Sequence, residues 1–220
     1  MSSTKGSKDE VQPTECLIDS LCNELTCIKV MRHPLYRLVP WVIIAAVYLA
    51  VSVGYLGIRP DIHEKVHSSS FIFEISLIIV MTVEAAMCSQ WLCVPDMRDQ
   101  KWMLAVPLSL FAVFVMWTVA RLSVESFAVP YLHWHTCYTS AIIFGAIPGL
   151  VIFFLSMCGK TTQPFMLSAM NTLAIGGVGY LGLRLTCRSD DIGHICSFHI
   201  LPYILLAFAA SVMGRKIYRW

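Results

Sequence analysis

Six long apolar stretches constrain this chain more than any other feature, because each is close to the length that crosses a lipid bilayer. Crossing the hydrocarbon core takes about 20 residues of α-helix. Five of the stretches carry no charged residue, and the other contains only Glu74 and Glu84. The six stretches are residues 38–58, 71–94, 102–120, 138–157, 165–183 and 198–214. Because lipid cannot satisfy an open sheet edge, the pattern predicts six transmembrane helices.

The composition agrees with this prediction. Charged residues make up 14% of the chain, whereas a soluble domain carries about 25%, and the connections are too short to hold a globular domain. We therefore predict an all-α polytopic membrane protein with short loops, in which residues 36–220 form the membrane domain and residues 1–35 a cytoplasmic arm. The net charge of +2 provides no basic field that would favour direct binding of nucleic acid.

Basic residues are distributed unevenly between the two sides of the predicted membrane domain. Six spans place both termini on one side, and the segments on that side hold eleven of the 16 Lys and Arg residues. The other five are Arg59, Lys65, Arg121, Arg184 and Arg188. Because basic residues accumulate in cytoplasmic segments, we expect both termini in the cytoplasm.

The arm contains a predicted amphipathic helix. Its apolar residues recur at helical spacing: Leu17, Ile18, Leu21, Leu25 and Ile28. Its polar face carries Glu15, Asp19 and Glu24, whereas helices that lie on lipid favour Lys and Arg. Two interpretations stay open, a helix on the membrane surface and a helix that docks in the groove of a protein partner.

Thiols and imidazoles are concentrated on the predicted outer side. Three of the nine cysteines lie there, Cys137, Cys187 and Cys196, together with six of the seven histidines. The run from His133 through His135 to Cys137 places imidazole and thiol within a few residues. Such donors suit zinc or copper, protonated imidazoles can activate a thiol, and the outer compartment permits disulfides. A metal site, a redox pair and simple local packing all remain open.

Glu74 and Glu84 are carboxylates inside a predicted span, and such groups are functional candidates by default. No other predicted span carries charged residues that would continue an ion path. We therefore expect these carboxylates to form structural hydrogen bonds with a neighbouring helix.

Several short motifs, spread in order over nearly the whole chain, resemble those of one known family. They are Leu17-Ile-Asp-Ser-Leu21, Val94-Pro95, the segment from Trp102 to Pro107, Cys137 at the start of the fourth span, and an ending with His199 and Gly214-Arg-Lys. The family is NrsF, six-span bacterial anti-sigma factors that restrain ECF sigma factors at the inner membrane. The family has a cysteine before span four and another after span five, and Cys137 and Cys187 match these positions.

The resemblance implies a non-enzymatic regulator in the bacterial inner membrane. An ECF sigma factor would be held at the cytoplasmic face through Leu17, Ile18, Leu21 and Leu25. Cys137 and Cys187 would sense oxidants or heavy metals and trigger release. Auxiliary roles would fall to His133, His135, His199 and Cys196, as metal ligands, tuning groups or a substitute thiol. No permanent cofactor is expected, only transient binding of a heavy metal whose identity the resemblance leaves unknown.

Two rival functions belong to other classes. One is a membrane thiol oxidoreductase, which would normally need a close reactive pair, whereas the chain has no Cys-x-x-Cys. The other is a small transporter, which Glu74 and Glu84 would serve.

Overall fold

The structure is a computed structural model that describes residues 13–23, 31–94, 100, 102–125 and 134–218. Within these ranges the regular structure is entirely helical, which confirms the predicted all-α class. The α-helices are α1 (Pro13–Asn23), α2 (Pro34–Leu56), α3 (Ile62–Lys65), α4 (Ser69–Leu92), α5 (Trp102–Val124), α6 (Trp134–Met157), α7 (Pro164–Thr186), α8 (Ile192–His194) and α9 (Leu201–Ile217), and a π-helical segment, Ile195–Ile200, joins α8 to α9. Six helical segments are long and apolar enough to cross a membrane, as predicted.

Proline and glycine mark several helix boundaries. Pro34 and Pro164 stand in the first turn of α2 and α7, where a missing backbone N–H costs nothing and φ is already helical. Gly57 follows α2 with a φ of 90°, a conformation that a side chain would strain.

The chain divides into two compact units, residues 1–31 and 32–220. In the first unit, α1 exposes its apolar residues, with Leu17 57%, Ile18 56% and Leu21 54% exposed. The second unit contains the six-helix bundle.

Helix α7 is the centre of the bundle. Of its apolar stretch 72% is buried, against 17% for α5, and it packs against α4, α6 and α9. Gly177 and Gly182 make this possible, because a Cβ on either would collide with Thr82 or Phe144 on the neighbouring helices. Small residues at such positions let membrane helices approach closely, and these two glycines do so within one chain.

One end of the bundle, called here the thiol end, holds Cys137 at the start of α6 and Cys187 just after α7. The segment after α2 joins it, since the Arg59 N–H donates to the Leu185 carbonyl at 3.0 Å. At the opposite end, the Lys160 N–H donates to the Cys93 carbonyl at 3.1 Å.

Candidate functional site

Cys137 and Cys187 meet at the thiol end. Helices α6 and α7 are joined by a short connection and pack against each other, so the start of one lies beside the end of the other. The two Sγ atoms are 3.9 Å apart, and both residues are half-buried. A disulfide would shorten that distance to about 2.05 Å. Cys137 and Cys187 are therefore close in space although fifty residues separate them in the sequence.

His194 lies against both thiols. Its Nε2 atom is 3.5 Å from the Cys137 Sγ and 3.4 Å from the Cys187 Sγ. The Asp191 carboxylate accepts from the His194 backbone N–H at 2.8 Å, which fixes the start of α8 as a helix cap does. The ring also packs on Phe198, with centroids 4.7 Å apart. The imidazole is thus held in place by groups other than the thiols.

His199 completes the group. Ligand atoms of Cys137, Cys187, His194 and His199 all lie within 4.8 Å of one another, and these four residues are called here the thiol cluster. The His199 side chain is fully buried, and among the described residues neither ring nitrogen has a hydrogen-bond partner. A buried polar group without a partner costs about 1–3 kcal/mol. His199 is the most deeply buried member, and the Cys187 thiol is the polar group with which its ring interacts.

The π-helical segment explains why two histidines five residues apart share one side. In a regular α-helix, residues five apart point about 140° away from each other. A π-helix bonds i to i+5, and the Leu201 N–H bonds the Cys196 carbonyl in this pattern. Pro202 has no N–H to continue regular bonding, and Tyr138 donates to the Ser197 carbonyl at 3.3 Å. The His194 and His199 ring centroids come to 5.3 Å.

The pKa of the Cys187 thiol is held well below its ordinary value. A hydrogen bond with Cys137 is the largest cause, and His194 and His199 lower the pKa further, against the opposing effect of burial. A thiolate is the reactive nucleophile and the form that binds metals. Cys187 is therefore the member of the pair primed for either reaction.

A second group of side chains, called here the ionic cluster, adjoins the thiol cluster. It consists of Glu74, Asp190, Arg59, Lys65, Arg121 and Arg184. Asp190 lies 2.8 Å from Arg59, 2.8 Å from Lys65 and 2.7 Å from Arg184. Although burial alone would raise the pKa of the Asp190 carboxyl, these three cations hold it below its ordinary value. Asp190 is ionised at neutral pH and ties the connection after α7 to the connection after α2.

Glu74 is the buried half of the ionic cluster. Its carboxylate lies 2.8 Å from the Arg184 guanidinium and 3.5 Å from that of Arg121, and Tyr180 donates to it at 2.6 Å. The structural bond to a neighbouring helix that the sequence predicted is present. The sequence did not predict that Arg184 pairs with Glu74. Helix α7 runs past the predicted stretch to Thr186, and this extension carries Arg184 into the bundle.

The remaining predicted site residues are placed as follows. Cys196 is half-buried and is not among the four residues whose ligand atoms converge. His133, the His135 side chain and Leu25 lie outside the described residues. His194, which sequence reasoning did not choose, occupies the position between the thiols. In a regular α-helix, His194 and His199 would lie on different faces because they are five residues apart. The π-helical segment places them on the same face.

No curated protein and no solved structure matches the chain closely enough to support an argument. A family model does match, and it covers residues 21–220. That range includes α2, every later helix and all four members of the thiol cluster. The chain belongs to the family NrsF, described as negative regulator of sigma F.

Proposed function

We propose that the chain is an anti-sigma factor that holds an ECF sigma factor at the cytoplasmic face of the bacterial inner membrane. It releases the sigma factor when Cys137 and Cys187 meet an oxidant or a thiophilic metal. Membership of a family of negative regulators of a sigma factor supports the regulatory role. The observation that carries the sensing role is the 3.9 Å distance between the two thiols.

The basic-residue asymmetry supports the orientation that this function needs. The order of the six spans in the sequence assigns eleven of 16 Lys and Arg residues to the side that does not carry Cys137 and Cys187, and the positive-inside rule then predicts that the thiol end faces outward. That compartment is oxidising in bacteria. Oxidation by hydrogen peroxide would form the S–S bond, remove two hydrogens from the thiols and yield two molecules of water.

Closing the pair would move the helix ends that carry it. The sulfur atoms must approach by almost half of their 3.9 Å separation to form a bond. Cys187 directly follows α7, the most buried helix, so a shift there is resisted by α4, α6 and α9. In this proposal the signal favours a second packing of the bundle over the one described here.

The partner would be held by α1. Its apolar residues Leu17, Ile18 and Leu21 are more than half exposed, and an amphipathic helix with such a stripe fits a hydrophobic groove on a protein. Replacing Leu17 and Leu21 by Asp should raise transcription by the sigma factor without any stress, at an unchanged level of membrane protein. Unchanged repression in the double variant would place the contact elsewhere.

The sensing role is tested with Cys137→Ser and Cys187→Ser in cells carrying a reporter for the sigma factor. We expect repression without stress to persist and the response to peroxide or cadmium to disappear. Cys196→Ser is the matched control, since Cys196 is half-buried and outside the thiol cluster, and it should respond normally. If both cluster variants respond like the wild type, the pair is not the sensor.

A further inference from the structure

We infer that the thiol cluster is a closed four-coordinate site for a divalent d¹⁰ cation, with His194 and His199 as ligands equal in rank to the two cysteines. The inference rests on the proposed function, because it names what one class of signal binds. It adds two protein ligands, a coordination number and a charge to the sensing pair.

The spacing of the donor atoms fits a tetrahedral ion. With about 2.3 Å from metal to sulfur and about 2.0 Å to nitrogen, the ligand atoms of a tetrahedron stand roughly 3.3–3.8 Å apart. In the structure the two sulfurs are 3.9 Å apart, and the His194 nitrogen is 3.5 and 3.4 Å from them. Three of the four corners therefore already stand at about the required distances.

His199 supplies the fourth corner. All four ligand atoms lie within 4.8 Å of one another, so the His199 ring is close enough to complete the tetrahedron after a small adjustment. The ring is fully buried and has no hydrogen-bond partner among the described residues. A metal bond would give one of its nitrogens a well-aligned partner, which the structure does not provide. If His199 were only a packing residue, an apolar side chain would serve better at lower cost.

Charge selects the class of ion. Two thiolates and two neutral imidazoles carry a charge of −2, so a divalent cation gives a neutral complex. Neutrality matters here because the nearby guanidinium of Arg184 is already paired with Glu74 and Asp190. Thiolate and imidazole donors in tetrahedral array favour zinc and its heavier relatives over calcium or magnesium. The probe ions are therefore Zn²⁺ and Cd²⁺.

A site with four protein ligands has no open position for water or substrate, which is typical of structural rather than catalytic metal centres. The ion would join the start of α6, the end of α7 and the segment from α8 into α9. It would also occupy both sulfurs, so that metal binding and disulfide formation exclude each other. One site thus receives two kinds of signal that cannot act on the same molecule at once.

The test uses the full-length protein, purified reduced in detergent and titrated with Co²⁺ as a spectroscopic stand-in for Zn²⁺. We expect one equivalent to bind with sulfur-to-cobalt charge transfer and the intense visible bands of tetrahedral Co²⁺, and Zn²⁺ or Cd²⁺ to displace it. Bound Zn²⁺ should also protect Cys137 and Cys187 from alkylation. Octahedral spectra, or no binding, would overturn the inference.

The histidines are tested with His194→Gln and His199→Gln, each of which should weaken Zn²⁺ binding at least about 10-fold, as loss of even an indirect support does. His67→Gln is the matched control, because His67 is exposed and its ring bonds to the His63 carbonyl, away from the thiol cluster. The Zn²⁺ affinity of this variant should be unchanged. If His199→Gln does not fold, His194→Gln and the wild-type cobalt spectrum still decide the outcome. Wild-type affinity in His194→Gln would remove His194 from the ligands and overturn the four-coordinate site.

These measurements separate the inference from the proposed function. Binding by purified protein needs no sigma factor, so it persists if the regulatory proposal fails. Conversely, a response of cells to peroxide through Cys137 and Cys187, with no metal bound by the purified protein, would support the regulatory proposal and contradict the metal site.

Discussion

The thiol end carries two polar clusters side by side that differ in how completely their members are paired. In the ionic cluster each charged group has an opposite charge nearby, at distances from 2.7 to 3.5 Å. In the thiol cluster, by contrast, the most buried member, His199, has no hydrogen-bond partner among the described residues. Buried polar groups in folded proteins are nearly always satisfied. Charge pairing supports a structural role for the first cluster, although the Arg184 Nε also lacks an aligned hydrogen bond. The proposed binding role of the second rests on its four converging ligand atoms.

Arg184 connects the two clusters. It pairs with Glu74 inside the bundle and with Asp190 in the connection after α7, and it precedes Cys187 by three residues. The ionic cluster therefore fixes the end of α7 at the level where Cys187 meets Cys137. Closing the proposed cysteine pair would therefore act against this frame.

The largest effect should come from breaking the frame with Arg184→Met. Glu74 is 2% exposed, and removal of its nearest cation leaves a buried carboxylate that the more distant Arg121 only partly compensates. Loss of one partner of a buried pair costs about 3–5 kcal/mol. We expect the unfolding temperature in detergent to fall by several degrees.

Arg188→Met is the control for that change, since Arg188 lies in the same connection with an exposed side chain. Exposed substitutions usually change stability by less than about 0.5 kcal/mol. Equal stability of Arg184→Met and wild type would show that the ionic cluster is not the frame.

A smaller effect should come from filling the thiol cluster. If the four donors bind Zn²⁺ only when folded, free metal at about 100 times its Kd stabilises the protein by about 2.7 kcal/mol. Thermal unfolding with Zn²⁺ and with a chelator measures the difference. Cys187→Ser should show little of it, and Cys196→Ser should show all of it. Stabilisation of both variants to the same extent would place the metal elsewhere.

The bundle itself could be predicted from the sequence because each span is an apolar stretch of about 20 residues. All six spans were found, yet their ends were less well defined. The predicted fifth stretch stopped at Leu183, since Arg184 is charged, whereas α7 continues to Thr186. A charged residue at the end of an apolar stretch predicts the end of the span. Arg184 can nevertheless be buried here, because it pairs with Glu74 on another helix.

The site could be predicted only in part. Cys137 and Cys187 were chosen through the family resemblance, and their proximity follows from two adjacent antiparallel helices. His199 was chosen as an auxiliary group, but His194 was not, because local helix geometry decides its direction. The π-helical segment that turns both imidazoles to one side has no sequence signal beyond Pro202.

The smallest expected effect is a loss of stability at acid pH, when the carboxyl group of Asp190 in the ionic cluster takes up a proton. Asp190 faces Arg59, Lys65 and Arg184, and Asp61 shares Arg59 with it. Burial of Asp190 would by itself raise its pKa, but the hydrogen bonds from the three cations outweigh burial, so the folded pKa lies below the ordinary 3.8. A lowered pKa means that the stabilisation is fully present above 3.8 and is lost as the pH falls through the folded value.

Stability should therefore stay flat with respect to this group from about pH 5 to 8 and decline below about pH 4. Asp190→Asn, which cannot ionise, should start lower and show a shallower decline in acid, as followed by thermal unfolding in detergent at each pH. Asp61→Asn is the comparison, because the Asp61 pKa is also lowered, chiefly by its hydrogen bond with Arg59, but Asp61 contacts only that one cation of the cluster. Its acid slope should change less than that of Asp190→Asn. If stability declines in acid as steeply in Asp190→Asn as in wild type, the pH dependence comes from other carboxyl groups and not from Asp190.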